Sequence, residues 1–268
     1  SSKLEITQYL KLDGKIHLQE PSQLLQPTNS DLDPTSIGIL ERDQQGQSNK
    51  FNYNYWCSPV GNSNGTTNNN NYSVNSILRD GTDPDHPKNI TWTSGINGAP
   101  TSPITLSSYW IYKFQNLTPI YANWSAIGQN GTLTAGQGFT LKGSGASTTS
   151  QNLTFVGKPN NGPIRITVSP NNMNLTGNPY PSAIDAQRFI NDNIDVITGS
   201  LYFWEHFPTN NTHNLAGYQG GYAVRNLTGG TAPVSPAGIS GLGSSTRIPR
   251  RYIPVGQGFY VIGNEAGG

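Results

Sequence analysis

The chain has 268 residues, of which 33% are hydrophobic and 12% charged, and its formal net charge is +1. So even a balance leaves no electrostatic footprint for nucleic acid or an anionic membrane, and no apolar run approaches the ~20 residues that span a bilayer. The aromatic residues (Trp 5, Tyr 13, Phe 8) supply core material that disordered chains lack, and the abundant Gly, Pro, Asn, Ser and Thr suit short strands joined by turns.

In chain order, residues 1–27 read as short strands: Leu4 and Ile6 alternate, then Tyr9–Leu12, a turn at Asp13-Gly14, Lys15–Leu18 and Ser22–Gln26. Alternation around an Asp-Gly pair is a hairpin signal, but the same short strands would suit the last rungs of a β-solenoid. Residues 28–50 carry Asp31, Asp33, Glu41, Arg42 and Asp43 and read as a polar surface connection. Phe51, Tyr53 and Tyr55 place three aromatics on one face of a strand, and the Asn/Gly/Thr stretch Asn62–Asn71 reads as a mobile loop. Tyr72–Leu78 reads as a strand or a single helical turn. Ile90–Thr93, Tyr109–Phe114 and Gly138–Lys142 are strand candidates. Leu153–Val156 and Ile164–Val168 form a bridge, Ile184–Ile194 is the only helix candidate, and Leu201–Trp204, Gly221–Val224 and Gly258–Ile262 supply further strands.

The order of landmarks repeats. Gly136-Gln137-Gly138-Phe139 returns as Gly256-Gln257-Gly258-Phe259, and Ser58-Pro59 returns as Asn178-Pro179, both at an offset of 120 residues. This pattern predicts an all-β fold of duplicated β-sandwich-like, jelly-roll-like units. Residues 1–50 would be the N-terminal strand segment and connection, 51–150 the first β unit, and 151–268 the bridge and second β unit. The repeated units share no set of acids, bases or nucleophiles, so the repeated element reads as a scaffold or binding surface and not as an active site.

Motif by motif, the chemistry is thin. Asp80, Asp83 and Asp85 place three carboxylates around Gly81, resembling the start of a calcium loop but lacking a distal bidentate Glu; calcium is the one cofactor the residues admit, and otherwise none is expected. The alternative is a turn that satisfies its own backbone. Cys57 is the sole cysteine, and its place opposite Gly177 suits a small buried residue. The glycines of Gly-Gln-Gly-Phe suit close approach of a neighbouring backbone, since no helix follows to make a phosphate loop. Glu205, beside Trp204 and His206, could pair with Asp185 or Asp195 in a hydrolase, but a surface strand with a charged residue explains it as well. Arg247, Arg250 and Arg251 are the only dense basic spot and read as a solvated face. Trp92, Trp110 and Trp124 are candidate sugar-stacking platforms, set against the need for large aromatics in a core poor in Leu and Ile. Ten Asn-x-Ser/Thr triplets occur, a number expected by chance in a chain so rich in these residues.

Leu12-Asp13-Gly14-Lys15-Ile16, Leu40-Glu41-Arg42-Asp43-Gln44-Gln45-Gly46, Tyr53-Asn54-Tyr55-Trp56-Cys57-Ser58-Pro59-Val60, Gly177-Asn178-Pro179-Tyr180-Pro181-Ser182, Leu201–His206, Tyr218–Ala223 and Val255–Val261 are spread over nearly the whole chain. In combination they resemble a region of large secreted proteins of Bacteroidota, especially flavobacteria, that lies just before a type IX secretion sorting domain. The resemblance implies export across the outer membrane and display on, or release from, the cell surface. It carries no catalytic residues. The expectation is therefore a non-enzymatic, extracellular structural or adhesion module, partnered by other surface proteins or by copies of itself in a filament or stalk, with neither nucleic-acid binding nor a membrane span. The alternative is a carbohydrate-binding module of a secreted polysaccharide-degrading protein.

Overall fold

The computed structural model describes residues 2–19, 21–27 and 30–268. Ser1, Glu20, Thr28 and Asn29, which fall in the expected N-terminal segment and connection, lie outside the described residues. Strands dominate and helical turns are few, so the chain is all-β in class.

The N-terminal strands pair in parallel. Lys3–Glu5 runs beside Gln23–Leu25, Tyr9–Leu10 beside Asp31–Leu32, and Lys15–Leu18 beside the start of Ile39–Gln47. The hairpin expected at Asp13-Gly14 does not form, because each short strand finds its partner 20 to 24 residues further along and not across the turn. The result is one turn of chain stacked on the next, with Leu10, Leu12, Leu18, Leu24, Leu32 and Leu40 buried inside it.

Residues 39–47 are a correction to the expected surface connection. Ile39–Gln47 is an interior strand of a six-stranded sheet in the order Lys88–Asn89, Leu78–Asp80, Ser150–Pro159, Ile39–Gln47, Lys15–Leu18, with Val60–Gly61 pairing the far end of Ser150–Pro159. Its charges are buried because each has a partner. Glu41 meets Lys15 at 3.1 Å, and Asp43 lies 3.0 Å from His17 Nε2 and accepts from Thr154 Oγ1 at 2.6 Å. Arg42 donates to the Leu18 carbonyl at 3.0 Å. The Asn62–Asn71 stretch has no regular structure but is tied down: Asn68 accepts from Leu32 N and donates to the Pro159 carbonyl, while Asn69 exchanges two bonds with the Asn161 backbone.

Two antiparallel strand pairs form the middle of the molecule. Tyr53–Cys57 pairs with Gly138–Lys142, and Met173–Gly177 pairs with Gly258–Ile262. Cys57 faces Gly138 in the first as Gly177 faces Gly258 in the second, and Tyr53 faces Lys142 as Met173 faces Ile262; every one of these positions differs by 120 residues. The second pair continues through Leu201–His206, Gly220–Arg225 and Gly230–Val234 into a five-stranded sheet.

Alternation then sorts the side chains. Trp56, Phe139 and Leu141 join the core under the first sheet, while Phe259 and Val261 join a second core with Val168, Ile190, Leu201 and Ile253. The opposite faces meet in an aromatic seam of Tyr55, Phe114, Leu175 and Tyr260, flanked by Tyr53, Trp124, Tyr202, Trp204 and Tyr222. Ring pairs in the seam are mostly edge-to-face, such as Tyr55 on Tyr260 at 5.7 Å, the arrangement ring quadrupoles favour.

Helix is confined to short pieces. Ala186–Asp192 is capped by Asp185, whose carboxylate accepts from Gln187 N and Arg188 N, and it buries Ala186 and Ile190. Val74–Ile77 makes one turn closed by a Ser73/Ser76 capping box. Tyr109–Phe114, expected as a strand, is divided into a 3-10 turn at Ser108–Trp110 and a two-residue strand at Tyr112–Lys113. No helix among the described residues is long and apolar enough to cross a membrane.

Candidate functional site

A groove of about 1280 Å³ runs between the two halves. One wall is the strand end Gln44–Gln47 with the exposed hydroxyl row Ser147–Ser150; the other is the segment Arg247–Pro254 that returns towards the second Gly-Gln-Gly-Phe. Trp56 and Phe203 line it between the walls. Gly46 allows this packing, since a Cβ there would come within 2.9 Å of the Trp56 ring. The indole Nε1–H of Trp56 is buried without an acceptor among the described residues. Above it, Asn54 donates to the Gln47 carbonyl at 3.1 Å and accepts from Gln47 N at 2.8 Å, closing that strand end against further pairing.

Glu205 is the sole carboxylate among the described residues lining the groove. Its side chain is only 18% exposed and lies 3.4 Å from Arg247; burial raises its pKa and Arg247 opposes the rise. Asp185 lines a different cavity of about 560 Å³ and is held by Arg251 at 2.7 Å, which keeps its carboxyl below the usual range, together with the backbone amides it caps. Asp195 is exposed and lines neither cavity. The paired carboxylates that glycoside hydrolysis needs on either side of one bond are therefore not assembled from these residues.

The three tryptophans are half-buried and separately engaged. Trp92 packs on the first core and donates to Asn75 at 2.9 Å. Trp124 is wedged in the seam, edge-on to Tyr55, Phe114 and Tyr260. Trp110 stacks on His213 at 4.8 Å, donates to the Ile96 carbonyl, and carries the Lys142 ammonium 3.8 Å from its ring centre. None of the three lines the groove. Lys142 also sits over Tyr53 at 4.2 Å and Tyr218 at 5.2 Å and donates to His213 Nδ1 at 3.0 Å, so an internal cation occupies this aromatic cage. Burial lowers the Lys142 pKa to about 7 and those of His213 and His206 to about 4 and about 3.

Asp80, Asp83 and Asp85 do not converge. Asp80 is buried and accepts from Thr82 N, Thr82 Oγ1 and Ile104 N; Asp83 accepts from Asp85 N and meets His86 at 3.1 Å; Asp85 reaches Gln19. Asp80 and Asp83 thus make Asx turns that satisfy their own backbone. No group of three or more His, Cys, Asp or Glu among the described residues is placed to hold a metal ion. Cys57 is fully buried, and burial pushes its thiol pKa far up, which leaves no thiolate for attack.

The groove was out of reach of sequence reasoning because its walls lie some 200 residues apart; the basic cluster at Arg247–Arg251 was the one visible signal. A family model described as a domain of unknown function, DUF8693, matches residues 66–267, well over half of the chain. The chain belongs to the DUF8693 family. The DUF8693 match contains both Gly-Gln-Gly-Phe motifs and the whole five-stranded sheet, and it leaves the N-terminal parallel turns and the strand Tyr53–Cys57 outside. No curated protein and no solved structure matches the chain.

Proposed function

We propose that this DUF8693 chain is a non-catalytic, extracellular structural and adhesion module of a type IX-secreted surface protein of the Bacteroidota. In this reading the two 120-residue-related units are duplicated jelly-roll-like sandwiches fused into one rigid body. The N-terminal parallel turns end a β-solenoid-like stack that holds the body away from the cell.

The observation that carries the reading is what the reactive side chains are used for. Cys57 is sealed in the core, His206 is buried and kept neutral, His213 is stacked under Trp110, and Glu205 is tied to Arg247. None forms a nucleophile and base pair. Meanwhile the close backbone approaches at Gly138 and Gly258 support a stiff body, as a surface part under tension requires. The module's partners in this reading are other surface proteins, copies of itself, or glycans.

Deleting residues 1–268 from the parent protein in its own bacterium tests the proposal, with adhesion to surfaces and antibody labelling of intact cells as readouts. Labelling of the wild type and reduced adhesion of the deletion strain are expected, and Glu205→Gln should adhere at least as well as the wild type. Loss of adhesion in a normally folded Glu205→Gln chain, or polysaccharide hydrolysis by the purified chain, would overturn it.

A further inference from the structure

We infer that the groove between the two halves binds an acidic polysaccharide, one bearing carboxylate or sulfate groups. This deepens the adhesion reading by naming a partner.

Charge is the first argument. The groove is lined by three cationic side chains, Lys50, Arg247 and Arg250, against the single carboxylate of Glu205. Arg247 is engaged by Glu205, but neither Lys50 nor Arg250 meets a carboxylate among the described residues. Neither cation is ion-paired, and they come from different parts of the chain, Lys50 (over the Phe51 ring at 5.4 Å) from the first half and Arg250 from the second. In a molecule only 12% charged, a groove lined by three cations and one carboxylate favours a negatively charged occupant.

Surface chemistry narrows the class. Tyr252, on the Arg250 wall, is 60% exposed, so even with Arg251 lying 5.6 Å from its ring centre it presents aromatic surface to a sugar ring. Opposite, Ser147–Ser150 presents an exposed row of hydroxyls, and the amide of Gln44 makes no side-chain hydrogen bond among the described residues. Hydroxyls and amides beside one exposed ring suit a polyhydroxylated chain, and a groove of about 1280 Å³ holds several sugar units. An extended peptide is disfavoured because strand addition needs a free backbone edge, and Asn54 already takes both the N–H and the C=O of Gln47. Nucleic acid would need a longer row of cations than two walls with a net +1 chain provide.

The test is affinity electrophoresis of the purified chain through gels containing polygalacturonate, neutral dextran or single-stranded DNA, at low and high salt. Retardation by polygalacturonate alone, weakened at high salt, is expected. Arg250→Gln and Lys50→Gln should each weaken binding about threefold to tenfold. Tyr252→Ala should weaken it at all salt concentrations, and Glu205→Gln, which removes the opposing carboxylate, should strengthen it. These side chains are exposed or half-buried, and matched circular dichroism confirms that each variant is folded. Equal retardation in dextran or DNA, or unchanged mobility of Arg250→Gln and Tyr252→Ala, would overturn the inference. Because the gel reports binding and the deletion strain reports adhesion, a failure of one is distinguishable from a failure of the other.

Discussion

The strand pairs Tyr53–Cys57/Gly138–Lys142 and Met173–Gly177/Gly258–Ile262 share one register, yet they meet across a contact that cannot be symmetric in every side chain. What is common is backbone. Asn54 donates to the carbonyl of Gln47 and Asn174 to that of Thr167, each seven residues back; Val60 N donates to Ser58 and Tyr180 N to Asn178, each two residues back. The glycines cross over. A Cβ on Gly138 would strike Leu175 and the Thr176 carbonyl at 2.8 Å, and one on Gly258 would strike the backbone of Tyr55 and Trp56 at 2.7 to 2.9 Å. Gly136 and Gly256 both take positive φ to make these approaches, and their carbonyls accept from Thr176 Oγ1 and Cys57 N across the contact.

What differs lies where the two strand pairs touch or face different neighbours. Cys57 and Gly177 occupy matching positions, and a Cβ on Gly177 would lie 2.5 Å from that of Cys57, so the contact has room for one side chain and not two. Lys142 stands where the second pair has Ile262, and that single difference turns one end of the seam into a cation cage. The comparison teaches that the hydrogen-bonded frame is held fixed while side chains diverge to fill one shared interior.

The largest way to break this arrangement is to fill the glycine contacts. Gly258→Ala meets only backbone and should cost about 3 kcal/mol or more, whereas Gly138→Ala, which partly meets the movable Leu175 side chain, should cost about 2 kcal/mol. Urea midpoints of the two variants decide it, and equal, negligible losses would deny the close contact. The Cys57/Gly177 exclusion is sharper but smaller. Gly177→Ala should be less damaging in a Cys57→Gly background, by about 1 kcal/mol, with a residual cost from the Gln257 carbonyl 2.4 Å away. Additive losses would mean that the two positions do not compete.

The cage gives a pH signature. Burial holds Lys142 at about 7 in the folded chain, below the 10.5 of the open chain. Between those values the unfolded state binds the extra proton, so stability rises with pH through that window, by at most about 1.4 kcal/mol per unit, and the burial cost is present in full below pH 7. Lys142→Met should flatten the rise in urea midpoints between pH 7.5 and 9.5. His213 and His206, lowered by burial to about 4 and about 3, act on the acid side: their contribution is present above 6.5 and lost as pH falls towards those values. A wild-type midpoint independent of pH from 7.5 to 9.5 would argue that the cage holds the ammonium at no cost.

Much of this frame was legible because it is written in short, backbone-determined signals. Gly138 and Gly258 read as points of close approach, and Cys57 opposite Gly177 read as a small buried residue; both follow from what glycine and cysteine can do locally. Ile39–Gln47 was not legible as an interior strand, since Glu41, Arg42 and Asp43 suggest solvent until the partners Lys15, Leu18, His17 and Thr154 arrive from elsewhere. The N-terminal pairings were left open between a hairpin and solenoid-like rungs for a related reason: an Asp-Gly turn advertises a local hairpin, and nothing local singles out a partner 24 residues away. The groove is longer-range still, made when Arg247–Pro254 folds back over Trp56.

Native-state hydrogen exchange of the amides that cross between the two halves tests the central claim most directly. Cys57 N donates to the Gly256 carbonyl and Leu175 N to the Phe114 carbonyl. If the halves are one interlocked body, these amides and those of Phe139 and Phe259 should exchange only through global unfolding, with opening free energies that agree within about 1 kcal/mol. Fast exchange of the crossing amides, with Phe139 and Phe259 opening at clearly different free energies, would mean two independent units that merely touch.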